Sequence, residues 1–219
     1  MAWAEAAELP GTFGLDPSRV RAVVAGGVES TDSAEDDLDL AVADLTALQI
    51  TAGDVVVAVA ASGRTPYTLA VAEAARTVGA AVVAVVNALD SPLAGLADVA
   101  IELGAGTEVL RDSTRLTAGT TQKVALNALT TAAMVRLGRV HDDLMIDVVA
   151  ANAKLRARQA GIVADIAGCS AERAAEALVA CQDDARAAVV HLLLGLAPTE
   201  AAARAARFIT LRDTLASGS

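Results

Sequence analysis

Aromatic residues are almost missing from this chain. One Trp, one Tyr and two Phe make up 2% of its 219 residues, although 54% of the residues are hydrophobic. The core must therefore be built mainly from alanine, valine and leucine. The length allows one domain with a small additional module, because a domain usually takes about 100–200 residues.

Basic residues are also few. Lys and Arg number 17 against 27 Asp and Glu, which gives a formal net charge of −10. Nucleic acids and anionic membrane surfaces bind basic proteins, so the charge argues against both partners. No charge-free apolar run reaches the ~18 residues of a membrane span, and the first residues do not have the pattern of a signal peptide.

Cysteine and histidine are too sparse to indicate a disulfide framework or a metal site. Cys169 and Cys181 form no Cys-x-x-Cys pattern, so we predict two buried thiols of a cytosolic protein. His141 and His191 are fifty residues apart, whereas zinc ligands usually come in closely spaced pairs. Gly104-Ala-Gly106 lacks the third glycine of a dinucleotide-binding fingerprint. We therefore expect no metal and no organic cofactor.

Short apolar runs alternate with helical patterns along most of the chain. The predicted strands cover residues 20–25, 55–59, 81–86 and 99–103, and this alternation predicts a doubly wound parallel α/β sheet. Beyond Gly168 the strand pattern stops, and helices are predicted over 170–180, 183–194 and 199–215. We predict two domains, an α/β domain over 1–168 and a helical bundle over 169–219.

The most informative stretch follows the strand at 55–59. It reads Ser62-Gly63-Arg64-Thr65, and Pro66 then stands where a helix can begin. Free backbone N–H groups, two hydroxyls and a helix N-terminus are the components of a phosphate site. An ordinary strand-to-helix turn capped by Ser62 or Thr65 explains the same residues. Spacing alone leaves both interpretations open.

Two carboxylates, Glu8 and Glu35, are the remaining candidates for chemistry. Glu8 precedes a predicted Leu-Pro-Gly-Thr turn, and Glu35 lies in the first turn of a helix predicted over residues 31–48. Acidic residues in a first turn stabilise a helix through its dipole by up to about 1 kcal/mol. From spacing alone, a structural role is therefore favoured for both residues.

Several motifs together resemble one known family. Ala-Ala-Ser-Gly-Arg-Thr-Pro-Tyr at 60–67 resembles the phosphate loop of a sugar isomerase (SIS) domain, and more narrowly that of the N-acetylmuramic acid 6-phosphate etherases. Further matches lie at residues 34–37, 91–94, 113–116, 118–123, 144–148 and 152–155. The resemblance runs from about residue 8 to residue 168, and the helical tail is similar to the family's C-terminal module.

The resemblance implies a lyase of cell-wall sugar recycling. Such an enzyme removes D-lactate from N-acetylmuramic acid 6-phosphate by elimination then hydration, and it leaves N-acetylglucosamine 6-phosphate. Glu8 matches the family's proton donor and Glu35 its second catalytic glutamate. The phosphate and sugar would be held by the family's loop residues, here Ser62, Gly63, Arg64, Thr65, Ser113 and Thr114. A cytoplasmic homodimer without cofactors is implied.

This chain departs from the family pattern in three ways. Ala7 and Leu9 replace a serine and a cysteine, and Thr117 stands where the family usually has a lysine. The family also begins well upstream, with a first strand and a Gly-Thr-Ser-Gly-Arg loop. In the SIS topology that strand lies between those predicted at 20–25 and 55–59. The chain is therefore expected to be a fragment, to close the gap, or to borrow a strand from another subunit.

The alternative function is a non-catalytic sugar-phosphate-binding or regulatory SIS protein, or an inactive fragment. Glu8 and Glu35 favour the enzyme, because a pure binding protein needs neither carboxylate. Thr117 and the missing upstream segment favour the alternative.

Overall fold

The structure is a computed structural model that describes residues 2–28 and 32–217. Three strands and ten helices of the described chain carry the labels used below. They are α1 (Ala2–Phe13), α2 (Leu38–Leu48), β1 (Val55–Val59), α3 (Pro66–Thr77), β2 (Ala81–Val86), α4 (Pro92–Leu96), β3 (Val99–Glu102), α5 (Thr117–Arg136), α6 (Ala153–Ala167), α7 (Ala171–Ala180), α8 (Ala185–Leu194), α9 (Pro198–Ala205) and α10 (Leu211–Ala216). Short 3₁₀ helices cover Pro17–Arg19 and Asp32–Asp36.

The chain divides into two compact units. The sheet unit contains Met1–Glu5 and Arg21–Leu129, and the helical unit contains Ala6–Val20 and Thr130–Ser219. Helices α1 and α5 each contribute residues to both units. These units are not the two segments predicted on either side of Gly168, and that division stays a prediction.

The sheet has three parallel strands in the order β1-β2-β3. Val55 pairs with Ala81 at the start of β1, and Val83 pairs with Val99 where β3 begins. One face of the sheet packs on α3 and α4, where Ala58, Val82 and Ala84 are buried in one cluster. The parallel α/β sheet with flanking helices and a C-terminal helical part is therefore confirmed.

The strand predicted at residues 20–25 does not form. Residues 20–24 have no regular secondary structure, and a turn follows at 25–26. Arg21 instead donates to the carbonyl oxygen of Leu48, and Ala25 packs on a cluster that includes Tyr67 and Val71. An apolar run forms a strand only where a neighbouring strand accepts its hydrogen bonds. In the described chain β1 pairs with β2 alone, so this segment has no ladder partner.

The turn predicted at residues 9–12 is also replaced by helix. Helix α1 continues through Pro10 and ends at Phe13. Leu9 and Phe13 lie four residues apart on one helix face, and both are buried with Leu15 and Met134. This packing outweighs the helix-breaking tendency of proline, because tertiary burial supplies most of the stability of helices in proteins.

The helical unit is built on a core of small aliphatic residues. Side chains of α6, α7 and α8 meet in a cluster that includes Val163, Leu178 and Val189. Ser170 caps α7 through the N–H of Arg173, and Asp184 caps α8 through the N–H of Ala187. The helices predicted at 170–180 and 183–194 are thus present with boundaries shifted by one or two residues.

The last predicted helix, over 199–215, is two helices instead. Helix α9 ends at Ala205 and α10 begins at Leu211. The carbonyl oxygen of Ile209 accepts a 2.8 Å hydrogen bond from Arg186, and the N–H of Asp213 donates to the side chain of Thr210. In a continuous helix the N–H of Asp213 would donate to the carbonyl oxygen of Ile209, but here both groups bond to side chains instead.

One aspartate joins distant parts of the helical unit. Asp147 accepts hydrogen bonds from Arg186 at 2.7 and 2.8 Å and from Arg139 at 3.1 Å. Arg186 also donates to the carbonyl oxygens of Gly138 and Ile209. The Asp147 cluster, meaning Asp147, Arg139 and Arg186, thereby ties α8 to the chain segments on both sides of it.

Candidate functional site

The predicted phosphate loop lies between β1 and α3, at the carboxyl end of the sheet. Helix α3 begins at Pro66 with Thr65 as its N-cap, and the Thr65 side chain makes no capping hydrogen bond. Pro66 has no N–H. The N–H groups of Tyr67 and Thr68 donate to no backbone carbonyl in the described chain. The hydroxyl and the helix N-terminus are thus available to an anion.

Ser62 and Arg64 complete the loop. The hydroxyl of Ser62 accepts a 3.2 Å hydrogen bond from the N–H of Arg64, and both residues are exposed. The bond bends the backbone into a compact turn, and the Arg64 side chain forms no salt bridge with another described residue. A guanidinium group in this position suits a phosphate, because its N–H groups match the geometry of phosphate oxygens.

Gly63 allows the loop to pack against the next strand-to-helix connection. Its φ is +62°, and a Cβ atom at this position would lie 2.5 Å from the Cβ of Ser91, with the Ser91 hydroxyl still closer. Ser91 is buried and caps α4, and the N–H of Leu93 donates to the carbonyl oxygen of Gly63. The loop is therefore held in place by its neighbour and can take only glycine at this point.

Asn87 links this loop to α5. It follows β2 directly, and its N–H donates to the carbonyl oxygen of Ala61 at 3.0 Å. Its side-chain amide donates to the hydroxyl of Thr121 at 2.8 Å, while its Oδ1 is buried and has no hydrogen-bond partner among residues 2–28 and 32–217. Asn87 was not among the residues predicted from the sequence, although the end of a buried parallel strand is a usual position for a site residue.

Ser113 and Thr114 lie in the turn before α5. The N–H of Gly119 donates to the carbonyl oxygen of Thr114, so the turn packs on the first residues of the helix. Both oxygens of the Glu108 carboxylate accept from that helix end, one from the N–H of Thr117 and one from that of Ala118, each at 2.8 Å. These bonds, led by the one from Ala118, lower the pKa of Glu108.

The two predicted catalytic glutamates are both exposed. Glu35 lies in the 3₁₀ helix Asp32–Asp36 of the sheet unit rather than in an α-helix, and Asp37, not a residue near position 31, caps α2. Residue 31 itself lies outside the described residues. Glu8 lies within α1, in a segment that belongs to the helical unit. Their catalytic roles stay predictions.

A buried carboxylate that the sequence analysis missed lies one turn before Glu8. Glu5 is 7% exposed, and its carboxylate forms a 2.5 Å ion pair with Lys123 of α5. The two residues are 118 positions apart, which leaves no local pattern that could have revealed the pair.

The described residues contain neither a metal-binding cluster nor a membrane-spanning helix. Among residues 2–28 and 32–217, no three His, Cys, Asp or Glu side chains are arranged to hold a metal ion. None of the described helices is both long enough and apolar enough to cross a membrane.

The fold and the loop define a class of protein. Residues 37–133 match the family model of the SIS domain. These residues include the sheet, the loop from Ser62 to Thr65 and most of α5.

Comparison with known proteins narrows the class to one family. The chain is 47% identical to the N-acetylmuramic acid 6-phosphate etherase of Symbiobacterium thermophilum over 88% of this chain and 65% of the relative. Identity to the Streptomyces avermitilis etherase is also 47%, over 90% of this chain and 65% of that protein. Identity to the Edwardsiella ictaluri etherase is 45%, over 91% of this chain and 68% of that protein. The chain belongs to the N-acetylmuramic acid 6-phosphate etherase family, and it spans about two thirds of the length of these relatives.

Proposed function

We propose that this chain belongs to a lyase that cleaves the lactyl ether of N-acetylmuramic acid 6-phosphate. The products are N-acetylglucosamine 6-phosphate and D-lactate, in the cytoplasmic recycling of cell-wall sugars. The observation that carries the proposal is the loop Ser62–Thr65. It presents a hydroxyl without a capping bond, an arginine without a salt bridge to any described residue, and a helix N-terminus at the carboxyl end of the sheet. The chain that carries this loop is 47% identical to named etherases.

The 6-phosphate binds at this loop. The N-terminus of α3 and the Thr65 hydroxyl meet its oxygens, and the Arg64 guanidinium group neutralises part of its charge. The overall charge of −10 repels a phosphate, so affinity must come from these local groups. The turn at Ser113 and Thr114, in the same unit, contributes hydroxyls to the sugar.

The reaction divides between two carboxylates. In the open-chain sugar the C1 aldehyde makes the C2 proton acidic, and Glu35 removes this proton as general base. The C3–O bond to lactate then breaks and a C2–C3 double bond forms, while Glu8 donates a proton to the departing oxygen. Water adds at C3 and a proton returns to C2, which completes N-acetylglucosamine 6-phosphate. Each step conserves protons without a metal or a cofactor.

We propose a homodimer as the working form, with each site completed by residues of both subunits. Sedimentation equilibrium tests this assembly. A strictly monomeric protein with full activity would exclude shared sites.

Phosphate recognition can be tested on the chain itself. In isothermal titration, N-acetylglucosamine 6-phosphate should bind at least about tenfold more tightly than N-acetylglucosamine, because the phosphate contributes charge-assisted hydrogen bonds. Arg64→Gln should remove most of this difference. Arg173→Gln, a change of an exposed arginine on α7, is the matched control. Equal affinity for the two sugars would contradict the phosphate assignment.

The catalytic roles are tested in a protein of the full length of the named etherases. There, Glu35→Gln should abolish exchange of the C2 proton with solvent deuterium. Glu8→Gln should retain that exchange and lose lactate release. Full exchange and full lactate release by the Glu35→Gln variant would leave Glu35 with no role as base.

A further inference from the structure

The helical unit has a cavity, open to solvent, that the proposed reaction does not use. Its volume is about 830 Å³, and its walls come from the end of α5, residues 146–151, the start of α8 and residues 205–209. Cavities that hold small molecules usually measure about 300–1,000 Å³. This cavity therefore has room for a small ligand.

Arginines are concentrated in the cavity wall. Arg19, Arg136, Arg139 and Arg186 line it, which is four of the 17 basic residues in a chain of net charge −10. The aspartates of the wall are Asp147, Asp183 and Asp184. The wall thus carries four positive and three negative charges, a net charge of +1, against the sign of the whole chain.

Two of the four arginines are already bonded. Arg139 and Arg186 share the carboxylate of Asp147, as described for the Asp147 cluster. By contrast, Arg19 and Arg136 donate no hydrogen bond to any described residue, and both are exposed. Arg19 lies near enough to Asp16 to contribute to the lowered pKa of that carboxyl, after the hydrogen bonds from Ser18. Two guanidinium groups are therefore available to a ligand.

The carboxylates of the wall compete only weakly for these two groups. Asp147 is neutralised by its two arginine partners, and the Oδ1 of Asp184 caps α8 through the N–H of Ala187. Only the Asp183 side chain forms no ion pair or hydrogen bond with the described residues of this wall. An incoming anion thus meets two available cations and one available carboxylate.

Apolar side chains form the rest of the wall. Val149, Phe208 and Ile209 line the cavity, and Ile209 is 68% exposed. Phe208 is one of only two phenylalanines in the chain. Exposed aliphatic surface and a half-buried phenylalanine beside unbonded guanidinium groups suit a ligand with an anionic head and an apolar body.

We propose that this cavity binds a small organic anion, a carboxylate or a phosphate monoester with a short apolar chain. The anionic head lies between Arg19 and Arg136, and the apolar chain packs on Phe208 and Ile209. The site is separate from the loop at Ser62–Thr65 and does not depend on the proposed reaction.

Fluorine NMR on the whole chain labelled with 4-fluorophenylalanine tests the proposal. The spectrum contains two signals, assigned with Phe13→Leu and Phe208→Leu variants. The probes are butyrate and butyl phosphate at neutral pH, with butan-1-ol and butylammonium as uncharged and cationic controls. We expect a saturable shift of the Phe208 signal with at least one anionic probe and with neither control. The Phe13 signal should stay in place, because Phe13 is 8% exposed, packs on Leu9 and Met134, and does not line the cavity.

Variants decide which residues hold the head group. Arg136→Gln and Arg19→Gln should each weaken binding about tenfold or more, as expected for loss of a charge-assisted hydrogen bond. Arg173→Gln on α7 and Arg64→Gln in the phosphate loop should leave the Phe208 response unchanged, and Arg64→Gln also separates this site from the proposed function. No saturable shift, an equal shift with butan-1-ol, or undiminished binding in both arginine variants would overturn the proposal.

Discussion

Replacing Gly63 by alanine tests how the phosphate loop is held. The new methyl group would lie 2.5 Å from the Cβ of Ser91 and 3.2 Å from the Cγ1 of Val86. Both neighbours are buried, Ser91 at 3% and Val86 at 0% exposure, so neither has room to move away. In addition, the φ of +62° is unfavourable for alanine.

The two costs can be separated by a matched control. Gly168 has a φ of +63°, and its added Cβ would have no atom of a described residue within 4 Å, so Gly168→Ala measures the backbone cost alone. This cost is about 1–2 kcal/mol, less a few tenths because alanine restricts the unfolded chain. Overpacking at Gly63 adds about 1–3 kcal/mol. Gly63→Ala should therefore lower the free energy of unfolding by about 2–5 kcal/mol.

Urea unfolding followed by far-UV circular dichroism measures both variants. A second change provides a rescue: Ser91→Gly removes the atoms that the new methyl meets, and a Ser-to-Gly change at an N-cap costs only a few tenths of a kcal/mol. The double variant should recover about 1–3 kcal/mol relative to Gly63→Ala. If Gly63→Ala is no more destabilising than Gly168→Ala, the close packing of the loop on Ser91 is refuted.

Three further predictions concern charge and thiol chemistry. Asp147→Ala should destabilise the helical unit by about 3–5 kcal/mol in urea unfolding, because it leaves Arg139 and Arg186 without their carboxylate. The control is Arg212→Gln, which removes the exposed ion pair with Asp142 and should change the free energy of unfolding by less than about 1 kcal/mol. Equal effects of the two variants would contradict this role of Asp147. The pKa of Glu108 is lowered from its usual 4.5, so its stabilising effect is fully present above pH 4.5 and is lost as the pH falls through the lower, folded-state pKa. The stability difference between the wild type and Glu108→Gln should accordingly narrow on acidification, and a difference independent of pH would show that the carboxylate does not cap α5. Burial, and to a lesser extent Asp184, raises the pKa of the Cys181 thiol, whereas Cys169 is only partly buried. Iodoacetamide at pH 8 should therefore modify Cys169 well before Cys181, as followed by mass spectrometry. The reverse order of modification would contradict the packing around α7.

Elements with local causes could be predicted from the sequence. The valine run predicted β1 with its observed bounds, and the proline at position 66 predicted where the loop ends and α3 begins. The strand expected at 20–25 failed because a strand also needs a partner, and no pattern within six residues reports whether one is present. In α1, likewise, the burial of Phe13 decided the helix beyond Pro10, and Phe13 meets Met134 from far along the chain.

The site shows the same division. Ser62, Gly63, Arg64 and Thr65 are consecutive, so their arrangement follows from one turn and one helix start. The Glu5–Lys123 ion pair joins residues 118 positions apart, and only the folded chain reveals it. Asn87 lies between these two cases. Its position after a buried strand can be read from the sequence, whereas its hydrogen bond to Thr121 cannot.

The exposed valines of β1 have a consequence for how the purified chain behaves in concentrated solution. Val55 is 61% exposed and Val57 38% exposed, on an edge strand without proline or charge to block pairing. Mutual repulsion between chains of net charge −10 opposes edge-to-edge association, but 0.1 M salt reduces its range to about 10 Å. Added salt should therefore promote clouding and light scattering in samples that stay clear in dilute buffer.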